Sequence, residues 1–220
     1  MKIASHSKNI VTKPWGYEYL VYESAEVALW LLYIAHNQQT SFHAHPNKST
    51  GLVILSGKAQ IDFFNNQIIA DRLEKLTIRK GFFHSTKSLS KDGTFLFEIE
   101  TPNNKLDLVR FKDNYGREGK PYEDASFEYP KQDDCLNLMN LQEQEISFAN
   151  CKLQIKKITS MEEFVEFYDK TNVMFLSGGL ETDYNVSVIN PADIVKVELI
   201  NQLKQVFTKI KPDTYVIIFS

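Results

Sequence analysis

Ser41-Phe-His-Ala-His-Pro46, followed by Leu52-Val-Ile-Leu-Ser-Gly57 and answered by Arg79-Lys-Gly-Phe-Phe-His84, is the stretch that decides the fold. Side chains two apart on a strand share a face, so His43 and His45 point together. A third imidazole, His84, arrives from a separate strand. Three such groups can converge on a divalent metal. Leu52 to Gly57 reads as a strand ending in a tight turn. Leu76-Thr-Ile-Arg-Lys-Gly81 reads as another, with Gly81 just ahead of the third histidine.

Outward from this stretch, the first half is a series of short strand-like runs. Tyr17 to Tyr22 alternates weakly. Val27-Ala-Leu-Trp-Leu-Leu-Tyr-Ile34 is apolar throughout, the pattern of a strand buried on both faces. Lys58 to Phe64 is followed by Asn65-Asn66, a hairpin tip. Ile68 to Leu73, Leu76 to Ile78 and Thr94 to Glu100 complete the set. Many short strands separated by turn residues predict an all-β sandwich or barrel.

Residues 101–134 are polar and rich in turn formers, the composition of an ordered loop or linker. Met161 to Lys170 has helical spacing of its apolar groups, and Ser160 with Glu163 forms a capping-box pattern. Asn201 to Lys209 is expected to be a second short helix. The second half echoes the first. Met174-Phe-Leu-Ser-Gly178 repeats Ile54-Leu-Ser-Gly57, Val186 to Val195 has the rhythm of Leu76 to Phe83, and Tyr215 to Phe219 echoes Phe95 to Ile99. The order is the same, which predicts a second, degenerate barrel over 135–220; chance recurrence of strand–turn–strand patterns is the alternative. No histidine lies beyond residue 84, so the imidazole site is not repeated.

The 220 residues carry a formal charge of −3, and no basic stripe marks a nucleic-acid partner. No apolar run approaches the ~20 residues of a membrane span. The first residues lack the apolar stretch of a signal peptide. Cys135 and Cys151 do not make a disulfide framework and are expected to be reduced. A cytoplasmic protein is the default expectation. His6 and His36 are expected on the surface or in loops.

The histidine spacing resembles the cupin family. Its first motif is H-x-H, four residues, Glu, six residues, Gly; His43, His45 and Gly57 match, and Thr50 stands at the metal-binding Glu. Its second motif is P-x-G-x-x-H-x-x-x-N; Gly81 and His84 match, with Arg79 for the Pro and Ser88 for the Asn. Lys13-Pro-Trp-Gly16 and the segment Asp107, Val109, Arg110, Asp113, Tyr115, Gly116 and Arg117 narrow the likeness. They resemble the C-terminal cupin domain of type II mannose-6-phosphate isomerases, over roughly residues 11–120. The resemblance implies a jelly-roll cupin barrel over 1–120; composition adds a linker over 121–134, and the internal echo a degenerate cupin-like second half with one or two short helices over 135–220. The resemblance also implies a small-molecule sugar or sugar-phosphate ligand. Proteins of this resemblance are often homodimers through strand exchange or sheet packing, which makes a homodimer one expectation.

Sugar-phosphate isomerisation moves a proton or hydride between neighbouring carbons. A metal polarises the carbonyl, a carboxylate or imidazole shuttles the proton, and a cation holds the phosphate. His43, His45 and His84 are the candidate ligands of a divalent metal such as Zn, Mn, Fe or Ni, with Thr50 offering only a neutral oxygen. Lys13, Arg79, Lys80, Arg110 and Arg117 are the candidate anion contacts. Glu98 and Glu100 share a strand face, as a candidate base and replacement ligand, or else as an exposed polar face. Arg110 and Arg117 could equally tie down their loop, and Trp15 could pack over a barrel end rather than stack on a sugar. Three functions follow: an isomerase or epimerase of carbohydrate biosynthesis, a non-catalytic sugar-binding or regulatory cupin, and a three-histidine Fe(II) dioxygenase.

Overall fold

The computed structural model describes residues 10–118 and 135–220, which divide into two compact units, 1–139 and 140–220. His6 and the expected linker at 121–134 lie outside the described residues. The first unit takes in Leu136 and Leu138: the Leu138 N–H donates to the Val21 carbonyl at 2.9 Å.

The first unit is built from β1 (Val11–Lys13), β2 (Gly16–Glu23), β3 (Ala28–Ile34), β4 (Phe42–Ala44), β5 (Ser49–Ser56), β6 (Ala59–Asp62), β7 (Gln67–Ala70), β8 (Lys75–Ile78), β9 (Ser85–Ser88), β10 (Thr94–Thr101) and β11 (Val109–Lys112). One antiparallel sheet runs β1-β2-β3-β10-β5-β8. The other joins β7-β6-β9 to β4-β11 through the bridges Gln39↔Lys87 and His43↔His84. The result is a jelly-roll barrel. Asn65 and Asn66 stand at the β6–β7 hairpin tip, as expected.

β3 is buried on both faces, which is why its sequence shows no alternation. Ala28, Trp30, Leu32 and Ile34 join Leu52, Ile54, Ile61, Ile78 and Leu96 in the barrel core. Their neighbours Leu29 and Leu31 are buried as well. Trp15 is buried against the same core, as packing over a barrel end requires.

The polar composition of 101–118 does not make it a linker. It carries β11, which pairs with the histidine strand β4, and it buries Asp107, Arg110, Asp113 and Arg117. These side chains are polar because they are hydrogen-bonded to one another and to the barrel, not because water surrounds them.

The second unit holds β12 (Gln144–Phe148), β13 (Cys151–Ile158), β14 (Asn172–Ser177), β15 (Leu180–Glu181), β16 (Ser187–Ile189), β17 (Ile194–Lys196), α1 (Val197–Leu203), β18 (Lys209–Ile210) and β19 (Thr214–Phe219). Its sheets run β12-β13-β19-β14-β17 and β16-β15-β18. These orders correspond strand for strand to β2-β3-β10-β5-β8 and β7-β6-β9. The turn is repeated too. Gly57 after β5 and Gly178 after β14 both have positive φ, +82° and +69°. A Cβ on either would strike the far turn, at the Gly93 carbonyl (2.7 Å) or at Thr214. Thr94 and Thr214, first in β10 and β19, send their hydroxyls to turn carbonyls at Lys58 and Lys211.

What the second unit lacks is a counterpart of β4 and β11. In place of β4 stands a 3-10 turn, Met161–Glu166, which puts Phe164 in the core beside Val173, Phe175 and Val216. The capping box is present: the Glu163 carboxylate accepts from the Ser160 N–H at 3.1 Å. The element ends at Glu166, short of the expected Lys170, because Phe167 is extended and its N–H closes on the Phe164 carbonyl. The helix expected at 201–209 lies earlier, at Val197–Leu203. β17 runs straight into it so that Val197 and Ile200 are buried, and the chain then turns to bury Phe207.

Neither Cys135 nor Cys151 is in a disulfide. No helix among the described residues is long and apolar enough to cross a membrane.

Candidate metal centre

Backbone pairing brings the imidazoles together. His43 and His84 exchange both main-chain hydrogen bonds, at 2.9 and 2.8 Å, and so stand directly opposite each other on one face. His45, two residues along, shares that face. Ring centroids lie 4.6 Å apart for His43–His84, 4.9 Å for His43–His45 and 5.7 Å for His45–His84. A ring nitrogen from each falls within 4.8 Å of the others.

Each Nδ1 is committed to a main-chain carbonyl. His43 reaches Ser41 O at 2.7 Å, His45 reaches Asp107 O at 2.6 Å and His84 reaches Phe82 O at 3.0 Å. A carbonyl can only accept, so each Nδ1 carries the proton and each neutral ring keeps a lone pair on Nε2. Burial lowers all three pKa values. His45 falls to about 2, with Lys48 as the next cause, and His84 to about 4, with the Phe82 bond opposing burial. His43 falls well below the usual value, through burial and then the other two imidazoles. Three neutral rings with fixed tautomers and free Nε2 lone pairs are what a divalent transition metal takes as ligands. Buried and without a hydrogen-bond partner are His45 Nε2, Thr50 Oγ1 and Glu100 Oε2. The residues present fit a metal ion.

Behind the histidines lies a buried ionic cluster. Glu98 and Glu100 face the interior, 8 % and 1 % exposed, rather than solvent. Lys48 Nζ donates to Glu100 Oε1 at 2.6 Å, and both side chains are 1 % exposed. Lys105 Nζ lies 3.1 Å from Glu18, 3.9 Å from Glu98 and 4.0 Å from Glu100, and 3.9 Å over the Trp30 ring. Burial, then the Glu100 charge, pushes the Glu98 carboxyl up to about 7 against the pull of Lys105. Burial alone would lower Lys105, but Glu100, Glu18 and Glu98 outweigh it and raise its pKa. Lys105 is therefore held charged, and Glu98 is the carboxyl of this cluster that burial and Glu100 hold above the usual carboxylate range. Glu98 and Glu100 also form a group with His45 within 4.8 Å. Two ammonium groups already sit against those carboxylates, so the histidines are the better cation site.

The cavity these residues enclose is small, about 50 Å³. That holds an ion with a few water-sized ligands, whereas pockets for organic ligands run to roughly 300 Å³ and more. Lys13, Lys48, Lys105, Arg110 and Arg117 line it, against Glu18, Glu98 and Glu100. Asp113 grips Arg117 with two bonds, 2.7 and 3.0 Å, and so cancels its charge. Arg79 and Lys80 lie elsewhere: both are exposed, and Arg79 lines a separate surface hollow with Phe63, Ile68 and Phe82. His36 is exposed.

The sequence reading overlooked Lys48, Lys105, Glu18 and the role of Asp107. Asp107 accepts from the Asn47 and Lys48 N–H groups at 2.8 and 3.0 Å, while its carbonyl holds His45. One signal was available for Lys48: a lone cation between the histidine pair and a strand whose middle, Leu52 to Leu55, is wholly apolar.

No family model matches the chain, and no curated protein matches it. Solved structures do. KdgF from Halomonas sp. is similar over 42% of this chain and 83% of its own, at 9% identity and TM-score 0.40. An RmlC-like cupin from Shewanella frigidimarina is similar over 44% of this chain and 86% of its own, at 12% identity and TM-score 0.40. The capsular polysaccharide assembling protein CapF from Staphylococcus aureus is similar over 47% of this chain but 34% of its own, at 15% identity and TM-score 0.43. At such identities nothing of their chemistry transfers to this chain.

Proposed function

We propose that the first unit is a metal-dependent cupin that acts on an anionic sugar, as an isomerase or epimerase, with mannose 6-phosphate as the narrowest case. The observation that carries this reading is the set of three Nε2 lone pairs fixed on one face by Nδ1–carbonyl bonds. A bound metal would supply Lewis acidity at a carbonyl or hydroxyl oxygen. The chain's own residues do the rest. Glu98, with a pKa of about 7, takes and returns a proton at neutral pH. Arg110, Lys13 and Lys105 line the cavity and would meet the anionic group of a sugar once the resting space, about 50 Å³, opens to admit it, and Lys105 holds Glu98 in place. Trp15 and Leu108 give the cavity apolar walls.

The test is exchange of the C2 proton of mannose 6-phosphate with solvent, across zinc, manganese, iron and nickel. Exchange that disappears in Glu98→Gln supports the reading. Absence of both exchange and fructose 6-phosphate formation with every metal removes the isomerase.

A second reading is a non-catalytic sugar-binding barrel, favoured by the Lys48–Glu100 pair that ties up a carboxylate. It predicts that a sugar raises the melting temperature even after His43 and His84 are both changed to Ala.

A further inference from the structure

We propose that Lys48 is a built-in competitor for the metal. It holds Glu100, the carboxylate that replaces the one missing at position 50, and a divalent cation gains that ligand only by taking it from the ammonium. This rests on the reading of His43, His45 and His84 as a metal site.

The β5–β10 ladder places Thr50 and Glu100 directly opposite each other, so their side chains share the inner face. A carboxylate can therefore enter the site from β10 instead of β5. A carboxylate oxygen of Glu100 lies within 4.8 Å of a ring nitrogen of His45.

A purely structural Lys48–Glu100 brace would use both carboxylate oxygens. Here Oε1 takes the ammonium at 2.6 Å, while Oε2 is buried with no hydrogen-bond partner, as are Thr50 Oγ1 and His45 Nε2. The unused oxygen and the unused nitrogen belong to the two residues whose ligand atoms lie close together.

The experiment measures zinc affinity, by competition with a chromophoric chelator, and melting temperature with and without zinc. It compares the full chain with Lys48→Met, Lys48→Met/Glu100→Gln and His84→Ala. Lys48→Met is expected to bind zinc about tenfold more tightly or better, since a unit charge a few ångströms away is removed. It should also melt lower than the parent without zinc and gain more from zinc than the parent does. The double variant, which removes both charges together, should fold and lose that extra gain. Zinc binding that His84→Ala abolishes but Lys48→Met leaves unchanged or weaker overturns the competitor and spares the metal site. Equal zinc binding by the parent and His84→Ala overturns both. If Lys48→Met fails to fold even with zinc while the double variant folds, Lys48 is a brace and the proposal is wrong.

Discussion

Asp107 offers the sharpest test of how the histidine face is held. Its carboxylate accepts from Asn47 N at 2.8 Å, Asn47 Nδ2 at 2.9 Å and Lys48 N at 3.0 Å. Its carbonyl fixes His45 at 2.6 Å. Asp107→Ala removes the carboxylate and leaves the Lys48 N–H buried without an acceptor. Hydrogen bonds to a charged group contribute about 1.5–3 kcal/mol each, but the exposed Asn47 donors recover part of their loss in water. A net cost of about 3 kcal/mol follows. For a unit of this size that lowers the melting temperature by about 10 °C. The freed 45–48 loop also loosens the His45–Asp107 bond, and outer partners of this kind change metal affinity by roughly tenfold to a hundredfold. Asp107→Asn keeps one acceptor oxygen and should lose about half as much stability. Thermal melts of chelator-treated protein and zinc titrations check both effects. An Asp107→Ala protein that melts within about 2 °C of the parent, where roughly 10 °C is expected, would refute the idea that this carboxylate anchors the loop.

Other outcomes follow from the same geometry. Burial pushes the Asp113 carboxyl up, but the Arg117 hydrogen bonds and charge outweigh it and leave the folded pKa below the unfolded one. The stability this adds is present above about pH 4 and drains as pH falls through the folded value; urea midpoints of Asp113→Asn should fall less steeply there than those of the parent. Gly57→Ala meets both a positive φ and a carbonyl at 2.7 Å, whereas Gly81→Ala, at φ +77°, meets open space. Gly57→Ala should therefore cost about 2–3 kcal/mol and Gly81→Ala about 1 kcal/mol in urea unfolding; equal costs would show that the turn gives way. Phe164→Ala empties a core position of the second unit and should cost about 3–5 kcal/mol in chemical unfolding, with zinc affinity unmoved.

Much of this architecture was legible in the residues, for physical reasons. β3 announced burial on both faces because eight consecutive apolar residues have no other soluble use. Gly57 and Gly178 marked equivalent turns because only glycine fits beneath the facing turn. The imidazoles were visible because a two-residue spacing on a strand fixes a common face. The buried lysines were not visible. Lys48 and Lys105 have the composition of surface residues, and only the strand pairing shows that Glu18, Glu98 and Glu100 surround them. The 101–118 segment was misjudged for the same reason, since a polar stretch that satisfies itself internally looks like one solvated by water. Glu100 as the neighbour of Thr50 depends on register, which a single sequence does not state. The helix at Val197 was misplaced because its first turn grows out of a strand with no capping residue to announce it.

β10 and the stretch that follows it are held unequally. That strand is paired on both sides, by β3 and β5, and carries Glu98 and Glu100. Lys105, Arg110 and Arg117 belong to the stretch just after it, whose strand β11 is, among the described residues, bonded only to β4. Amide exchange should therefore be slowest at the carboxylates and faster at the cations. Asp107 and Arg110 tie that stretch to the histidine strand, through the His45 ring and through the Arg110–His43 pairing, so any loosening of it would be felt first at the imidazoles.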